Sequence, residues 1–446
     1  MYKREESNFI MKAMTMKRKQ FIKSVAGVVA GAALLPELVH ASANELSNQA
    51  NATMWPSVDP ADERFWQFVR QQFPLEPEKH YMNTGGLGAS PYMVIDAVKG
   101  KMDELEKISE PGHSEPLWKE IKTNAGKLLG CEGDEIAFTR NTTEGINIVA
   151  NGLPLKSGDE MITSTQEHVA NQVTWLALQR RRGIVIRTFT PSTESAQENI
   201  DRIEKLITKK TRLISIPHGL TTTGLIMPIK ELSRLARAKK IWFFVDGAQT
   251  LGMFPFSLHD LGCDAWAASG HKWLMGPKET GVLYVRKEML DTIEATHIGA
   301  YSDEVYDFEA GTFKYVPSAQ RYEYGTVSIP LRVGLNAAFE FVDMIGIDNM
   351  WTRDRELSTR LFDGLRAIPN VKVLSPADSS LRSAMITFMH DTIPHLEVQA
   401  HLNKFNLRTR SVTEGGLAAL RISTHIYNNF DQVEMIIEGV KTLKKG

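Results

Sequence analysis

Short apolar runs alternate with amphipathic stretches from about residue 92 to residue 290. Runs such as IWFFV (241–245) are apolar at every position, which is typical of strands covered on both faces in a mostly parallel sheet. Stretches such as IKELSRLARAKK (229–240) have the spacing of a helix. This repetition predicts an α/β fold. The predicted strands are EIAFT (135–139), EMIT (160–163), IVIRT (184–188), LISI (213–216), IWFFV (241–245), AWAAS (265–269) and GVLYV (281–285).

The pattern changes after about residue 330. A long helical stretch at 331–346 is followed by short apolar runs, a helical stretch beginning HLEVQ and a final helix. Short strands mixed with helices in this way predict a smaller α+β domain. We therefore predict a large α/β domain at 91–330, a small α+β domain at 331–446, and a linker with an N-terminal segment at 44–90.

The N-terminus has the layout of a secretory signal. A basic run at 17–19 precedes an apolar run from about 25 to 35 and small residues around 41–43, and the apolar run is too short for an ordinary membrane span. The basic run followed by Phe21 resembles a twin-arginine signal, with Lys-Arg where the motif prefers Arg-Arg. We predict a signal peptide and tail at 1–43 and an exported, periplasmic protein without a membrane segment in its mature form. The alternatives are an uncleaved anchor or a mispredicted start codon with a cytoplasmic protein.

Composition restricts the classes of partner. The chain has 446 residues, 42% of them hydrophobic, which is enough to bury a sizeable core. Its 52 Lys and Arg residues balance 53 Asp and Glu residues, so charge gives no reason to expect nucleic acid or an anionic membrane, and a small molecule is favoured. Two cysteines, Cys131 and Cys263, exclude a disulfide framework, a Cys-rich zinc site and a Cys-ligated cluster. Two buried thiols are the simpler interpretation and one disulfide is the alternative.

Three polar residues follow two of the predicted strands. Asp246 and Gln249 come after IWFFV, and Lys272 comes after AWAAS. Functional groups collect at the carboxyl ends of strands in open parallel sheets. Pyridoxal phosphate needs this combination: a lysine for the Schiff base, a carboxylate for the pyridine nitrogen and a side chain for the phenolic oxygen. Taken singly, they read as a solvated lysine, a turn residue and a helix cap; taken together, they predict a pyridoxal phosphate site.

A phosphate subsite is predicted beside these residues. Thr142 and Thr143 follow EIAFT where a helix begins, so backbone N–H groups and hydroxyls can face an anion, although both could simply be caps. Ser269 and His271 flank the lysine turn and can add donors. His168 follows EMIT, where an imidazole could stack on the pyridine ring and relay protons, although a lone histidine is more often a surface or core residue.

The motifs together resemble a known family. VDGAQTLG, SGHKWLMGPKETGVLYV, TRNTTEGIN, TQEH and LRISTHIYNN resemble the class V aminotransferase family of fold-type I pyridoxal phosphate enzymes, in its isopenicillin N epimerase-like and cysteine desulfurase-like branch. The resemblance runs from about residue 81 to the C-terminus. It implies the fold-type I architecture and the cofactor roles given above for these residues: Lys272 for the Schiff base, Asp246 for the pyridine nitrogen, Gln249 near the phenolic oxygen, His168 on the ring, and Thr142, Thr143, Ser269 and His271 for the phosphate.

The resemblance implies two further roles. RYEYGTVS is similar to a segment whose threonine reaches the phosphate of the neighbouring subunit, which implies Thr326 in that role and a homodimer with shared active sites. Arg421 matches the arginine that pairs with the substrate α-carboxylate, a role that suits a bidentate guanidinium. Its alternative is an ordinary salt bridge in the small domain.

The chain departs from its relatives at two points. Cysteine desulfurases use a loop cysteine before the C-terminal arginine, and the stretch NLRTRSVTEGGLAALRIS has none. Desulfuration through a persulfide is therefore disfavoured, whereas lyase chemistry without a thiol is not. Thr221 stands where relatives often carry Asn.

The reaction follows from the cofactor only in part. Once the amino acid forms an external aldimine and displaces Lys272, loss of the α-proton is common to racemisation, transamination and β-elimination. The freed Lys272 is the natural proton shuttle. The sequence favours an aminotransferase or epimerase acting on an amino acid, with a lyase as the alternative. A non-catalytic cofactor-binding protein is the remaining class, and the intact set of Lys272, Asp246, His168 and Arg421 disfavours it.

Overall fold

The computed structural model of the chain describes residues 58–443, and the signal peptide predicted at 1–43 lies outside them. None of the helices in this part of the chain is long and apolar enough to cross a membrane. The helices are α1 (Glu63–Gln71), α2 (Tyr92–Ile108), α3 (Glu115–Leu129), α4 (Thr142–Gly152), α5 (Val169–Arg182), α6 (Ala196–Leu206), α7 (Ile229–Ala238), α8 (Leu258–Leu261), α9 (Ile329–Ile345), α10 (Ile347–Arg366), α11 (His395–Asn403) and α12 (Phe430–Lys441). The strands are β1 (His80–Tyr81), β2 (Ile136–Thr139), β3 (Glu160–Ser164), β4 (Val185–Phe189), β5 (Thr211–Pro217), β6 (Trp242–Asp246), β7 (Ala265–Ser269), β8 (Gly281–Val285), β9 (Asp303–Asp307), β10 (Thr312–Tyr315), β11 (Val371–Val373), β12 (Met385–His390), β13 (Leu407–Arg408), β14 (Arg410–Val412) and β15 (Ala419–Ser423).

The large domain is built on a mostly parallel sheet. Over residues 58–443 this sheet has seven strands in the order β2-β8-β7-β6-β5-β3-β4. Strands β4, β3, β5, β6 and β7 run parallel, and β8 is antiparallel to its neighbours β7 and β2. Strands β3, β7 and β8 are buried at every position, as expected of a sheet covered on both faces. This is the predicted α/β arrangement.

The predicted strands of this sheet agree closely with the structure. β7 and β8 coincide with the apolar runs at 265–269 and 281–285, and the other strands begin and end within two residues of the prediction. The prediction does not include the β9–β10 hairpin or helix α10. The hairpin strands are largely exposed and therefore lack the continuous apolar run that identifies a buried strand.

The small domain has an antiparallel sheet in the order β11-β12-β15-β14. Helices α10, α11 and α12 pack on it through an apolar core that includes Leu361, Phe388, Leu402, Ile422 and Ile437. Because β15 is an inner strand of this sheet, Arg421 at its centre is fully buried.

Helix α9 lies at the predicted boundary between the domains. The prediction places residue 331 onward in the small domain, whereas Asn336 of α9 is hydrogen-bonded to two residues of α3 in the large domain. Its amide donates to Glu120 at 3.1 Å and accepts from Asn124 at 2.9 Å. Helix α9 is thus attached to the large domain.

The segment before α2 reaches from the small domain to the turn that carries Lys272. Strand β1 pairs in parallel with β13, and the N–H of Gly88 donates to the carbonyl oxygen of His271 at 2.7 Å. A Cβ on Gly88 would lie 1.9 Å from the carbonyl oxygen of Lys272, so only glycine fits this approach. Part of the region predicted as linker and N-terminal segment therefore packs against the lysine turn and supports it.

Candidate active site

A cavity of about 270 Å³ opens at the carboxyl ends of the parallel strands. All the predicted site residues except Thr326 and Arg421 line it. Its walls are Gly85, Gly86, Asn141, Thr142, Thr143, Ile146, His168, Ala170, Thr221, Asp246, Ala248, Gln249, Ser269, His271, Lys272 and Arg410. Strand ends that are distant in sequence thus bring the predicted side chains together, as this sheet topology requires.

Lys272 lies in the turn after β7, and its ammonium group is in an unfavourable environment for charge. Its pKa is lowered to about 8, mainly by burial and to a smaller extent by the guanidinium groups of Arg421 and Arg410. The carboxylate of Asp246 opposes this shift without cancelling it. An amine with a pKa near 8 is about one tenth unprotonated at pH 7, so it is a far better nucleophile and base than an ordinary lysine.

Asp246 ends β6 and is buried on the floor of the cavity. Burial raises the pKa of its carboxyl group, against the opposing effects of the Ala248 N–H, which donates to Oδ1 at 2.9 Å, and of Lys272. A buried carboxylate with a single backbone donor retains capacity to accept another hydrogen bond. A protonated pyridine nitrogen is the kind of donor that this carboxylate suits.

Gln249 follows on the same strand end, and its amide makes three hydrogen bonds that leave one lone pair of Oε1 free among the described residues. Its Nε2 donates to the carbonyl of Gly85 at 2.9 Å and to Oγ1 of Thr221 at 3.3 Å. Its Oε1 accepts from the indole Nε1 of Trp273 at 2.9 Å. These bonds fix the amide plane at the cavity wall, where the sequence predicts a contact with the phenolic oxygen.

His168 is the N-cap of α5. Its Nδ1 accepts from the N–H of Ala170 at 3.2 Å, which places the proton of a neutral ring on Nε2. Its pKa is lowered to about 4, mainly by burial and to a smaller extent by the nearby positive charges of Lys272 and Arg410. The imidazole is therefore neutral at physiological pH, and a neutral ring can lie against a pyridinium ring without charge repulsion.

The predicted phosphate subsite lies where α4 begins. The N–H of Thr142 donates to Oγ of Ser269 at 3.0 Å, and the two hydroxyl oxygens are 2.7 Å apart. Nδ1 of His271 is buried and has no partner among the described residues. Thr143 lines the cavity in the first turn of the same helix. Hydroxyls, helix N–H groups and an unpaired imidazole nitrogen are together a donor set that fits the phosphate of pyridoxal phosphate.

Arg421 lies directly behind the cavity wall. Its Nη1 donates to the carbonyl and Oγ1 of Thr221 at 2.8 and 2.5 Å, and its Nη2 donates to Oδ1 of Asn83 at 3.1 Å. Within residues 58–443 it has no ion pair, so the ordinary salt bridge that was its alternative is absent there, and its Nε has no partner. A fully buried guanidinium without a carboxylate is well suited to bind an incoming one.

Thr326 is not in the cavity of Lys272. It lines a second cavity of about 340 Å³, together with Trp118, Arg140, Glu144 and Arg332 among others. The structure therefore separates Thr326 from the other predicted phosphate ligands of its own chain.

The sequence analysis missed two charged residues of this site. Arg410 of β14 lines the cavity, and its Nη2 donates to the carboxylate of Glu414 in a short hydrogen bond. In the register of the small sheet, Arg410 lies opposite Arg421. The only signal in the sequence was that Arg410 is a charged residue in the stretch before LRIS. This did not indicate on which face of the sheet its side chain lies.

The two cysteines lie away from this cavity. Both are free thiols, Cys263 buried and Cys131 partly buried, and neither is among the residues that line the cavity. Burial raises the pKa of Cys131 to about 12 and raises that of Cys263 as well. The predicted pair of packed thiols is therefore present, with Cys131 less buried than expected.

Comparison with known proteins identifies the family. The sequence model of Aminotransferase class-V matches residues 109–436, which is more than half of the chain. The chain belongs to this family. A probable cysteine desulfurase of Pyrococcus abyssi is 28% identical over 400 residues, covering 84% of this chain and 97% of the relative. The isopenicillin N epimerase of Amycolatopsis lactamdurans is 29% identical over 401 residues, covering 85% and 99%.

Solved structures of similar fold support the same assignment. The apo structure of a cysteine desulfurase from Thermococcus onnurineus NA1 has a TM-score of 0.74 at 26% identity, covering 84% of this chain and 97% of that one. A C-DES variant with glycine covalently linked to its pyridoxal phosphate has a TM-score of 0.77 at 24% identity, covering 84% and 99%, and shows the shared fold. These neighbours confirm the predicted fold-type I architecture, and membership of the family confirms pyridoxal phosphate as the cofactor.

The lowered pKa of Lys272 predicts the pH dependence of cofactor attachment. Only the unprotonated amine attacks the aldehyde, so the rate of Schiff-base formation between the apoprotein and pyridoxal phosphate should rise about tenfold per pH unit below the pKa of about 8 and level off above it. Stopped-flow absorbance measures this rate. Nα-acetyl-lysine is the control, and its rate should still be rising at that pH.

Two variants check the sign of this dependence. Asp246 raises the pKa of Lys272 and Arg410 lowers it. The midpoint should therefore move to lower pH in Asp246→Asn and to higher pH in Arg410→Gln. A wild-type midpoint near the ordinary lysine value of 10.5 would contradict the assignment.

Proposed function

We propose that this chain is a pyridoxal phosphate enzyme that acts on an amino acid as an aminotransferase or as an isopenicillin N epimerase-like epimerase. The observation that carries the proposal is the common cavity of Lys272 and Asp246, with the guanidinium of Arg421 behind its wall and without an ion pair among the described residues. Bound pyridoxal phosphate supplies an electron sink for the bonds of the substrate α-carbon. The amine, the carboxylate and the guanidinium are the protein groups that such a reaction needs.

Each of these residues has a separate task in the proposed reaction. Arg421 binds the substrate α-carboxylate through its N–H donors and thereby orients the α-carbon. Lys272 removes the α-proton and returns it to a carbon atom, for which a pKa of about 8 is close to the operating pH. Asp246 keeps the pyridine nitrogen protonated, and His168 limits the tilt of the ring.

The absence of a thiol supports aminotransferase or epimerase chemistry over persulfide formation. The loop between β14 and β15 carries Glu414 and no cysteine, and the thiols of Cys131 and Cys263 lie elsewhere. The runner-up is a lyase that needs no thiol. The similarity to proteins named cysteine desulfurases supports this second candidate.

A panel of L-amino acids, incubated with and without pyruvate, tests the proposed function. The expected result is either keto acid formation that depends on pyruvate, which identifies transamination, or appearance of the D-isomer, which identifies epimerisation. Chiral chromatography and keto acid assays measure both. Lys272→Ala should lose either activity. It should also no longer attach the cofactor through a borohydride-reducible bond, because alanine has no amine to form a Schiff base.

The other outcomes of the panel contradict the leading proposal. Release of ammonia or sulfide without an acceptor identifies the lyase. No turnover of any amino acid by the loaded wild-type protein identifies a non-catalytic cofactor-binding protein. A borohydride-reducible bond in Lys272→Ala overturns the role of Lys272 itself.

The proposed enzyme is a homodimer with shared active sites. Thr326 lines a cavity separate from that of Lys272, which supports a contact with the phosphate of a neighbouring subunit instead of its own. Loss of one hydrogen bond to a charged phosphate costs about 1.5–3 kcal/mol, so Thr326→Ala should weaken cofactor binding roughly 10- to 100-fold.

Mixed dimers test this sharing. A dimer of one Lys272→Ala subunit and one Thr326→Ala subunit contains one complete site if Thr326 serves its neighbour, and none if Thr326 serves its own chain. With two different affinity tags to isolate the mixed dimer, we expect about half of the wild-type cofactor content at limiting pyridoxal phosphate. A mixed dimer without any tight site, or a protein that is monomeric in solution, would refute the shared-site proposal.

We also propose that the protein is exported by a twin-arginine route, which carries folded proteins and so lets the cofactor bind in the cytoplasm first. The basic run at 17–19 and the apolar run after it support this route. Arg18→Gln should leave the protein in the cytoplasm, as measured by fractionation and immunoblotting. Lys23→Gln, outside the paired basic residues, is the control. Unchanged export of Arg18→Gln would exclude this route.

A further inference from the structure

The turn that carries Lys272 is held by one hydrogen bond of its own and by partners from outside it. The turn is neither helix nor strand, so its carbonyl groups do not accept the regular backbone hydrogen bonds of secondary structure and need other donors. The carbonyl of His271 accepts from the N–H of Gly88 at 2.7 Å, and that of Lys272 accepts from the N–H of Met275 at 3.0 Å. The carbonyl of Trp273, the residue directly after Lys272, faces Nε2 of His425 at 3.0 Å.

His425 is fully buried and makes a second hydrogen bond through the other nitrogen of its ring. Its Nδ1 lies 2.9 Å from Oδ2 of Asp354, a fully buried residue of α10. A carbonyl can only accept, so Nε2 carries a proton and donates it to Trp273. The contact with Asp354 on the other side fixes the orientation of the ring, as carboxylates do for histidines in many functional sites.

The same tryptophan also connects Lys272 to Arg421 by a second route. Nε1 of Trp273 donates to Oε1 of Gln249 at 2.9 Å, and Nε2 of Gln249 donates to Oγ1 of Thr221 at 3.3 Å. Nη1 of Arg421 donates to the same Oγ1 at 2.5 Å. His425 follows Arg421 by four residues. These hydrogen bonds and the backbone from Arg421 to His425 therefore form a closed ring that joins the lysine turn to the end of β15.

We propose that Asp354 and His425 are a positioning pair for Lys272: through the Trp273 carbonyl they hold the lysine turn against the small domain. The inference rests on the proposed function for the role of the Lys272 amine, and it adds residues that touch neither the cavity nor the cofactor. Asp354 lies on α10 and His425 follows β15, so both come from the small domain, whereas Lys272 belongs to the large one.

The pair is costly to bury, which is the reason to assign it more than a packing role. Asp354 has a second oxygen, Oδ1, without a partner among the described residues. Partly satisfied buried polar groups destabilise a core compared with apolar side chains of similar size. A pair of leucine-sized residues could fill this space, but they could not bind the Trp273 carbonyl.

The rate at which Lys272 of the apoprotein forms its Schiff base with pyridoxal phosphate measures the position of the amine without requiring any substrate. His425→Ala should slow this rate roughly 10- to 100-fold, since misplacement of a reacting group by about 1 Å has effects of this size. His425→Gln, whose amide nitrogen can reach the Trp273 carbonyl, should recover most of the rate. Asp354→Asn, which removes the carboxylate while retaining the shape, should fall between wild type and His425→Ala.

Leu402→Ala is the matched control, because Leu402 is fully buried in the core of the same small domain and does not contact the lysine turn. It should lower the melting temperature without slowing Schiff-base formation. A wild-type rate in His425→Ala would overturn the proposal, and so would an equal slowing in Leu402→Ala. If His425→Ala does not fold, a wild-type rate in Asp354→Asn would overturn it instead.

Failure of this inference differs from failure of the proposed function. If only the positioning role is wrong, wild-type protein still forms a borohydride-reducible bond that Lys272→Ala lacks, and His425→Ala forms it at the rate of wild type or of Leu402→Ala. If the function of Lys272 is wrong, wild-type protein itself forms no borohydride-reducible bond, or Lys272→Ala still forms one.

Discussion

Burial of positive charge, reinforced by repulsion between neighbouring cations, is the physical constraint on which this site depends. Lys272, Arg421 and Arg410 lie in or directly behind one cavity, with the carboxylates of Asp246 and Glu414 as their nearest opposite charges. Burial and this repulsion lower the pKa of Lys272 to about 8, which makes the amine reactive near neutral pH. The same excess of positive charge favours anionic ligands. A phosphate carries about −1.5 to −2 charge at pH 7, and a substrate carboxylate adds another.

The sequence predicted those parts of the site in which chemistry follows a strand within a few residues. Asp246, Lys272 and His168 each come within a few residues of the end of an apolar run that is buried in the structure, so local order along the chain was enough. The β9–β10 hairpin was missed because its exposed strands mix charged and aromatic residues. Arg410 was missed because its role depends on register: only the pairing of β14 with β15 places it opposite Arg421.

Long-range contacts explain the rest of what the sequence could not predict. Asp354 and His425 are separated by 71 residues, and His425 and Trp273 by 152. Each of these residue types is common in a helix or loop, and no spacing along the chain connects them. The missing carboxylate partner of Arg421 is likewise a property of the folded core, because it depends on the side chains of Thr221 and Asn83 that approach from the large domain and the N-terminal segment.

The loop between β14 and β15 has an electrostatic role in this chain. Glu414 is bonded to Arg410, and Gly415 and Gly416 adopt φ of 65° and 75°, a left-handed conformation that glycine favours. A Cβ on Gly415 would lie 2.9 Å from the side chain of Gln166, so the loop packs closely beside the segment that leads to His168. The loop thereby supplies a carboxylate that partly neutralises Arg410.

The division of labour between the domains follows from these contacts. The large domain supplies Lys272 and Asp246, whereas the small domain supplies Arg421 and Arg410. A substrate bound through its carboxylate would therefore be held by one domain while its α-carbon faces the amine of the other. Because Arg421 and His425 lie on one strand and the loop directly after it, any displacement of the small domain moves the guanidinium and the support of the lysine turn together. Precise reaction geometry then requires the two domains to be locked, and the buried ring of hydrogen bonds through Trp273, Gln249 and Thr221 provides that lock.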